Sequence, residues 1–122
     1  MRFMLLIYGD EHALTPTERE ECYRESRELG HKLDAAGHYL ASAPLHLTAT
    51  ASSVRVRAGK QLVTDGPFAE TREQLGGYFL VDAKDKDEAI AIAARIPMAR
   101  RGTVEVRQVM EIPGLAAERS ER

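Results

Sequence analysis

Two carboxylates, Asp65 and Glu73, lie in the segment of the chain that is richest in residue types able to do chemistry, residues 64–78. Asp65 ends a predicted strand, and Glu73 stands shortly before the next one. Two carboxylates that face one cleft can divide proton transfer between them. The sequence therefore offers both as candidate catalytic residues. The structural alternatives are an Asx-type cap that holds the following turn for Asp65, and a surface or capping carboxylate for Glu73.

Six further side chains could form a ligand site beside these carboxylates. Arg55 and Arg57 alternate with valines, so both point to one face of a predicted hairpin and could hold a carboxylate-bearing ligand. The tyrosines combine a ring with a polar tip, and histidine is the side chain best suited to proton exchange near neutral pH. Hydrogen-bonded core tyrosines and a surface or interface histidine are the structural alternatives. The candidate ligand-binding residues are Tyr8, His38, Arg55, Arg57, Phe68 and Tyr78.

The sequence predicts no metal site and no cofactor. It has four histidines and one cysteine, at spacings that match no metal-binding pattern. The single cysteine, Cys22, excludes an intramolecular disulfide and suits a reducing compartment. At its position in a predicted helix, it is more typical of a small buried hydrophobic residue than of a nucleophile.

Strands and helices alternate in an order that predicts the fold. Strands are predicted over residues 2–8, 38–43, 53–57, 61–64, 77–81 and 103–112, and helices over 15–36 and 85–96. Thr15, Pro16 and Glu18 form a helix start with a capping box. The order predicts an α+β fold, a ferredoxin-like split βαβ with an inserted β-hairpin.

The inward stripe of the first helix contains few large apolar residues, since it begins with Cys22 and Ser26. The first strand, in contrast, is apolar on both sides, with Leu5 on one side and Met4 and Leu6 on the other. Both helices must pack on one face of the sheet, so the other face would expose apolar surface. A second copy packed face to face would cover it, and we therefore predict a homodimer with a barrel-like interior.

Composition excludes several classes of protein. The chain has 122 residues, with 43% hydrophobic and 30% charged residues, which is typical of a single globular domain. Its net charge is −2, whereas a nucleic-acid-binding protein of this size is usually basic. No apolar stretch is long enough to span a membrane. We expect a cytoplasmic protein with no nucleic-acid or membrane partner, in which residues 1–113 form the domain and residues 114–122 a flexible C-terminal tail.

The segment that begins at Asp65, with the sequence D-G-P-F-A-E-T-R-E-Q-L-G-G-Y-F, resembles the signature of the YCII-related proteins, in the subgroup with the Asp-Gly-Pro-Phe (DGPF) motif. The resemblance covers nearly the whole chain. It implies a dimeric α+β barrel and a link to extracytoplasmic-function sigma factors. It also implies a catalytic His–Asp pair in some relatives, with the histidine on the first helix and the aspartate before a proline. Ser26 and Ile96 stand at those positions here, so that pair is absent.

Two functional hypotheses follow. The first is a dimeric small-ligand-binding or partner-binding module, linked to stress or sigma-factor signalling, because no complete catalytic constellation occurs. The alternative is a small cytoplasmic enzyme that uses acid–base chemistry centred on Asp65 to transform a small metabolite. The residues name neither the ligand nor the reaction.

Overall fold

A computed structural model describes residues 1–115 of the chain. Six strands and two α-helices follow one another in the order β1, α1, β2, β3, β4, β5, α2, β6, with two short 3-10 turns, Thr48–Thr50 and Pro97–Arg100. The strands are β1 Arg2–Gly9, β2 Tyr39–Pro44, β3 Ser52–Arg57, β4 Lys60–Asp65, β5 Gln74–Asp82 and β6 Thr103–Gln108. The helices are α1 Pro16–Ala35 and α2 Lys86–Ala93.

The main sheet has four strands in the order β2-β5-β1-β6, and every neighbouring pair is antiparallel. Leu5 pairs with Phe79 on one side and with Val106 on the other, which places β1 at the centre. The predicted ferredoxin-like α+β fold with an inserted hairpin is confirmed. β3 and β4 form that hairpin as a separate two-stranded sheet.

The hydrophobic core lies between one face of the main sheet and the two helices. Phe3, Leu5, Phe79 and Val81 alternate inward from β1 and β5 and are fully or almost fully buried. The helical side of the core consists of Leu29, Leu33, Ala89, Ile92 and Ala93, with Ile96 just beyond α2. The opposite face carries Met4, Leu6, Tyr78 and Leu80, and both helices leave it uncovered.

The predicted start of α1 is confirmed in atomic detail. Thr15 Oγ1 accepts a hydrogen bond from the Glu18 backbone N–H at 3.1 Å, and Glu18 Oε1 accepts one from the Thr15 N–H at 3.0 Å. Pro16 occupies the first turn, where its missing N–H costs nothing. Gly37 follows the helix with a φ of +81°, the left-handed conformation that glycine adopts most easily.

Three element boundaries differ from the predicted ones by more than one residue. α2 ends at Ala93, because Pro97 forces Ile96 into an extended conformation and a 3-10 turn follows. β5 begins at Gln74 instead of residue 77. β6 ends at Gln108 instead of residue 112. Its partner strand β1 begins at Arg2, opposite this end of β6, so the residues after Gln108 have no strand to pair with. Of the predicted tail, residues 116–122 lie outside the described residues.

We call residues 52–68, the hairpin together with the Asp-Gly-Pro-Phe segment that leaves it, the arm. Ala58 and Gly59 turn the hairpin with positive φ values of 52° and 74°, the combination that closes a two-residue type I′ turn. Val54, Val56 and Val63 are each more than half exposed, and Phe68 is 81% exposed. The arm thus stands outside the hydrophobic core.

Candidate ligand-binding site

A cavity of about 480 Å³ lies between the N-terminal half of α1 and the edge of the main sheet where β1 ends and β5 begins. Side-chain size explains why it forms there. Cys22 and Ser26 are the residues that α1 turns towards the sheet in this half, whereas Leu29 and Leu33 fill the corresponding gap further along the helix. The stripe of small residues in the sequence is therefore the physical origin of the cavity.

The inner walls of the cavity are mainly apolar. Ile7 and Phe79 contribute from the sheet, and Ile96 and Met98 contribute from the segment after α2. A Cβ atom on Gly9 would lie 2.9 Å from the Met98 sulfur, so only glycine there lets Met98 close this end of the cavity without moving. The lining suits an organic molecule with a substantial apolar body.

Glu11 holds one side of the cavity mouth together. Its Oε1 accepts a hydrogen bond from the Thr48 backbone N–H at 2.7 Å, and its Oε2 accepts one from Thr48 Oγ1 at 2.8 Å. These bonds fasten the 3-10 turn Thr48–Thr50 to the loop between β1 and α1. Arg19 Nη2 also donates to the Glu11 carbonyl oxygen at 3.0 Å. The mouth is thus tied to α1.

Two ion pairs fasten the 3-10 turn Pro97–Arg100 and the residue after it to the same helix. Arg101 lies 2.9 Å from Glu18, and Arg100 lies 2.7 Å from Glu25. The hydrogen bonds from Thr15, together with the Arg101 guanidinium, lower the pKa of Glu18. These contacts hold Ile96 and Met98 in the cavity wall.

The cavity lining offers weak nucleophiles only. Burial raises the pKa of the Cys22 thiol, so the thiol stays protonated and unreactive near neutral pH. Within residues 1–115, no hydrogen bond joins Cys22 or Ser26 to His46, the one histidine of the lining. The described part of the chain also contains no group of three or more His, Cys, Asp or Glu side chains that could hold a metal.

Of the residues predicted for the site, Tyr78 of β5 belongs to the lining of this cavity, although its side chain alternates to the open face of the sheet with that of its pairing partner Leu6. The other predicted residues of the main domain lie outside the lining. Glu73 Oε1 accepts a hydrogen bond from Thr103 Oγ1 at 2.9 Å. His38 Nδ1 lies 2.8 Å from the Asp82 carbonyl oxygen, and Tyr8 pairs with Thr103 across β1 and β6. None of these three belongs to the described cavity lining.

The remaining predicted residues lie on the arm. Arg55 and Phe68 line a second hollow, of about 350 Å³, on one side of the hairpin. Arg57 stands near the turn, and the Asp65 side chain is exposed at the end of β4. No hydrogen bond among residues 1–115 joins Asp65 to Glu73. The roles predicted for these residues stay predictions.

Sequence reasoning did not select Arg19, Arg27 or Ser26 as ligand-binding residues, although all three line the cavity. A signal for them was present. Arg19, Tyr23 and Arg27 repeat every four residues along one side of α1, directly beside the stripe of small residues. Read together, a thin inward stripe and a flanking polar row indicate a helix that borders a cavity.

Comparison with known proteins places the chain among its relatives. The YCII-related domain matches residues 1–113. The chain belongs to the YCII-related family. An uncharacterised protein from Rhizobium meliloti (strain 1021) is 38% identical to it over 112 residues, which cover 88% of this chain and 90% of that protein. In this YCII-related chain, Ser26 and Ile96, the positions at which the resemblance implies the His–Asp pair, both line the cavity.

The length and composition of the helices bear on whether the chain could span a membrane. Within residues 1–115, neither helix combines the length and the apolar character that crossing a lipid bilayer requires.

Proposed function

We propose that this YCII-related protein is a small-ligand-binding module and that the cavity under α1 is its binding site. The observation that carries the proposal is the cavity itself, about 480 Å³, with apolar walls and a polar mouth. Cavities of roughly 300–1,000 Å³ are the usual size of sites for small organic molecules. Glu11, Arg100 and Arg101 fasten the surrounding loops to α1, which supports a site that is already formed before the ligand arrives.

The chemistry of the lining favours binding over catalysis. The two positions at which a His–Asp pair would stand carry a serine and an isoleucine, and the isoleucine side chain cannot exchange protons. Burial keeps Cys22 in its thiol form. A nucleophile needs an adjacent base to be activated, and the described lining shows no such hydrogen-bonded pair.

The proposal is tested by filling the cavity. Thermal unfolding of the wild type is measured in the presence of a library of small organic acids, amines, alcohols and amides. The same screen is run on Ser26→Leu, which extends an apolar side chain into the cavity, and on Thr17→Leu, which adds the same side chain at an exposed position of α1. We expect compounds that raise the Tm of the wild type and of Thr17→Leu but not of Ser26→Leu. A library without any hit, or hits that survive in Ser26→Leu, would contradict the proposal.

We further propose that the protein is a homodimer joined through the open sheet face. The apolar side chains Met4, Leu6 and Leu80 on this face support it, because both helices pack on the other side. Light scattering at micromolar concentration is expected to give twice the monomer mass. Leu6→Asp should yield monomers, whereas Ile90→Asp, at an exposed position of α2, should leave the dimer intact. A monomeric wild type would refute this assembly.

The resemblance to YCII-related proteins supports two broader elements of the proposal, a cytoplasmic location and a link to an extracytoplasmic-function sigma factor. By binding its ligand, the protein would then sense a stress-related metabolite. Transcript profiling of a strain that lacks the protein is the corresponding test, and unchanged expression of every sigma-factor-dependent gene under stress would count against the link.

One observation supports the alternative function, an enzyme centred on Asp65. The Asp65 carboxylate accepts no hydrogen bond from any residue in the range 1–115. Capping of the following turn therefore does not explain why an aspartate stands at this position. For the alternative, Asp65→Asn should abolish turnover of a metabolite while leaving the Tm nearly unchanged. A fall in Tm on that substitution would favour a structural role instead.

A further inference from the structure

We infer that the cavity takes an amphipathic organic acid, a molecule with one carboxylate and an apolar body, and that Arg27 is the residue that binds its carboxylate. The inference rests on the proposed function and narrows it to a ligand class. It follows from which charged groups at the cavity mouth already have partners and which do not.

The acidic groups at the mouth are engaged in holding the protein together. Both Glu11 oxygens accept hydrogen bonds from Thr48. Asp10 Oδ1 accepts a hydrogen bond from the His12 backbone N–H at 2.9 Å, and its Oδ2 lies 3.9 Å from the Arg72 guanidinium. These carboxylates are therefore poorly placed to bind a cationic ligand.

The basic groups at the mouth remain available. Within residues 1–115, the Arg27 guanidinium makes no hydrogen bond and no ion pair, although Arg27 belongs to the cavity lining. The neighbouring Arg24, which does not line it, pairs with Glu28 at 3.4 Å. Arg19 uses one N–H on the Glu11 carbonyl oxygen, which leaves most of its five donors free. The unused charge that faces the cavity is thus positive.

The apolar interior of the cavity restricts the polarity of the rest of the ligand. Ile7, Phe79, Ile96 and Met98 offer contact surface and no hydrogen-bond partners. A sugar or a polyanion would lose its hydration there without replacement, which is costly for every unpaired polar group. A single carboxylate at the mouth with an aromatic or aliphatic body inside satisfies both parts of the cavity.

The test compares an acid with its neutral counterpart. Binding of 2-naphthoate and of 2-naphthamide, and of decanoate and decanamide, is measured by calorimetry on wild type, Arg27→Gln and Arg24→Gln. We expect the wild type and Arg24→Gln to bind at least one acid more tightly than its amide. Arg27→Gln should lose about tenfold in affinity for that acid, the size expected for one charge-assisted hydrogen-bonded pair, and little for the amide. The acid's affinity should also fall with added salt.

Several results would overturn the inference. They are equal binding of acid and amide, an unchanged affinity in Arg27→Gln, and binding that Ser26→Leu does not weaken. Failure of all four probes, while a neutral or cationic library compound still requires an open cavity, overturns the acid class and leaves the proposed binding function standing. The proposed function itself fails only if no compound depends on the cavity.

Discussion

The arm and the cavity under α1 differ in what each shows at the level of sequence and of structure. The arm carries the Asp-Gly-Pro-Phe segment, yet its apolar side chains are exposed and the Asp65 carboxylate accepts no hydrogen bond from the described residues. The cavity is bordered by residues with little pattern, Cys22 and Ser26, yet ion pairs and the part-buried hydrogen bonds of Glu11 hold its walls in place.

A dense motif and a well-formed cavity therefore need not coincide in one protomer. A two-stranded hairpin is at best marginally stable alone in water, so the exposed arm should be only weakly ordered on its own. The cavity is formed by more stable elements, since α1 and the sheet that enclose it share the hydrophobic core.

The largest contrast is expected from truncating one apolar side chain in each region. Leu33 is fully buried between α1 and the sheet, so Leu33→Ala should cost about 3 kcal/mol of unfolding free energy. Val54 is 61% exposed on the arm, and Val54→Ala should cost less than about 0.5 kcal/mol in the monomer. Urea unfolding measures both. A large cost for Val54→Ala would show that the arm packs on something, and so would break the contrast.

A smaller contrast is expected from adding a methyl group to one glycine of the main domain and to one glycine of the arm. A Cβ on Gly102 would lie 2.2 Å from the Tyr8 carbonyl oxygen, where only backbone movement gives relief, so Gly102→Ala should cost about 2–3 kcal/mol. Gly59 in the arm has open space around it but a φ of +74°, so Gly59→Ala should cost about 1 kcal/mol in local order. Hydrogen exchange of the arm amides would report the second change, and global unfolding the first. Equal global effects would contradict this division.

The smallest effect concerns pH and the start of α1 beside the cavity. Thr15 and Arg101 lower the pKa of Glu18 below its ordinary value of 4.5 in the folded protein. The unfolded chain therefore binds the proton more tightly, so the stabilisation from Glu18 is complete above about pH 4.5 and is lost as the pH falls through the lowered folded pKa.

The stability difference between wild type and Glu18→Gln should accordingly be largest near neutral pH and shrink on acidification. In an Arg101→Gln background, the pH-dependent part should be smaller. Urea unfolding of all variants in steps of about 1 pH unit between pH 3 and pH 7 measures this pH dependence. A difference that grows as the pH falls would contradict the assignment.

The fold was largely predictable from the sequence because local rules and the global pattern agree. The capping box at Thr15, the turn at Gly59 and the alternation of Phe3 and Leu5 each determine an element by themselves. The end of β6 was not predictable, because it depends on where β1 begins and not on residues 109–112.

The cavity under α1 was not predicted from the sequence, because motif density drew attention to residues 64–78. The cavity depends on a difference in side-chain volume between the two halves of α1, which only the packed structure converts into space. Of the predicted site residues, Tyr78 alone belongs to the described cavity lining, and the arm residues await a test in the assembled protein.

Mapping the backbone amides that respond to a bound ligand tests most directly whether the cavity under α1 is the binding site. ¹H–¹⁵N spectra are recorded with the compound that most raises the Tm of the wild type. We expect the largest shifts at Ser26 and its neighbours in α1, around Leu45 and around Tyr78, with the amides of residues 52–66 unmoved. Shifts confined to the arm around Asp65 and Phe68, with α1 unaffected, would contradict it.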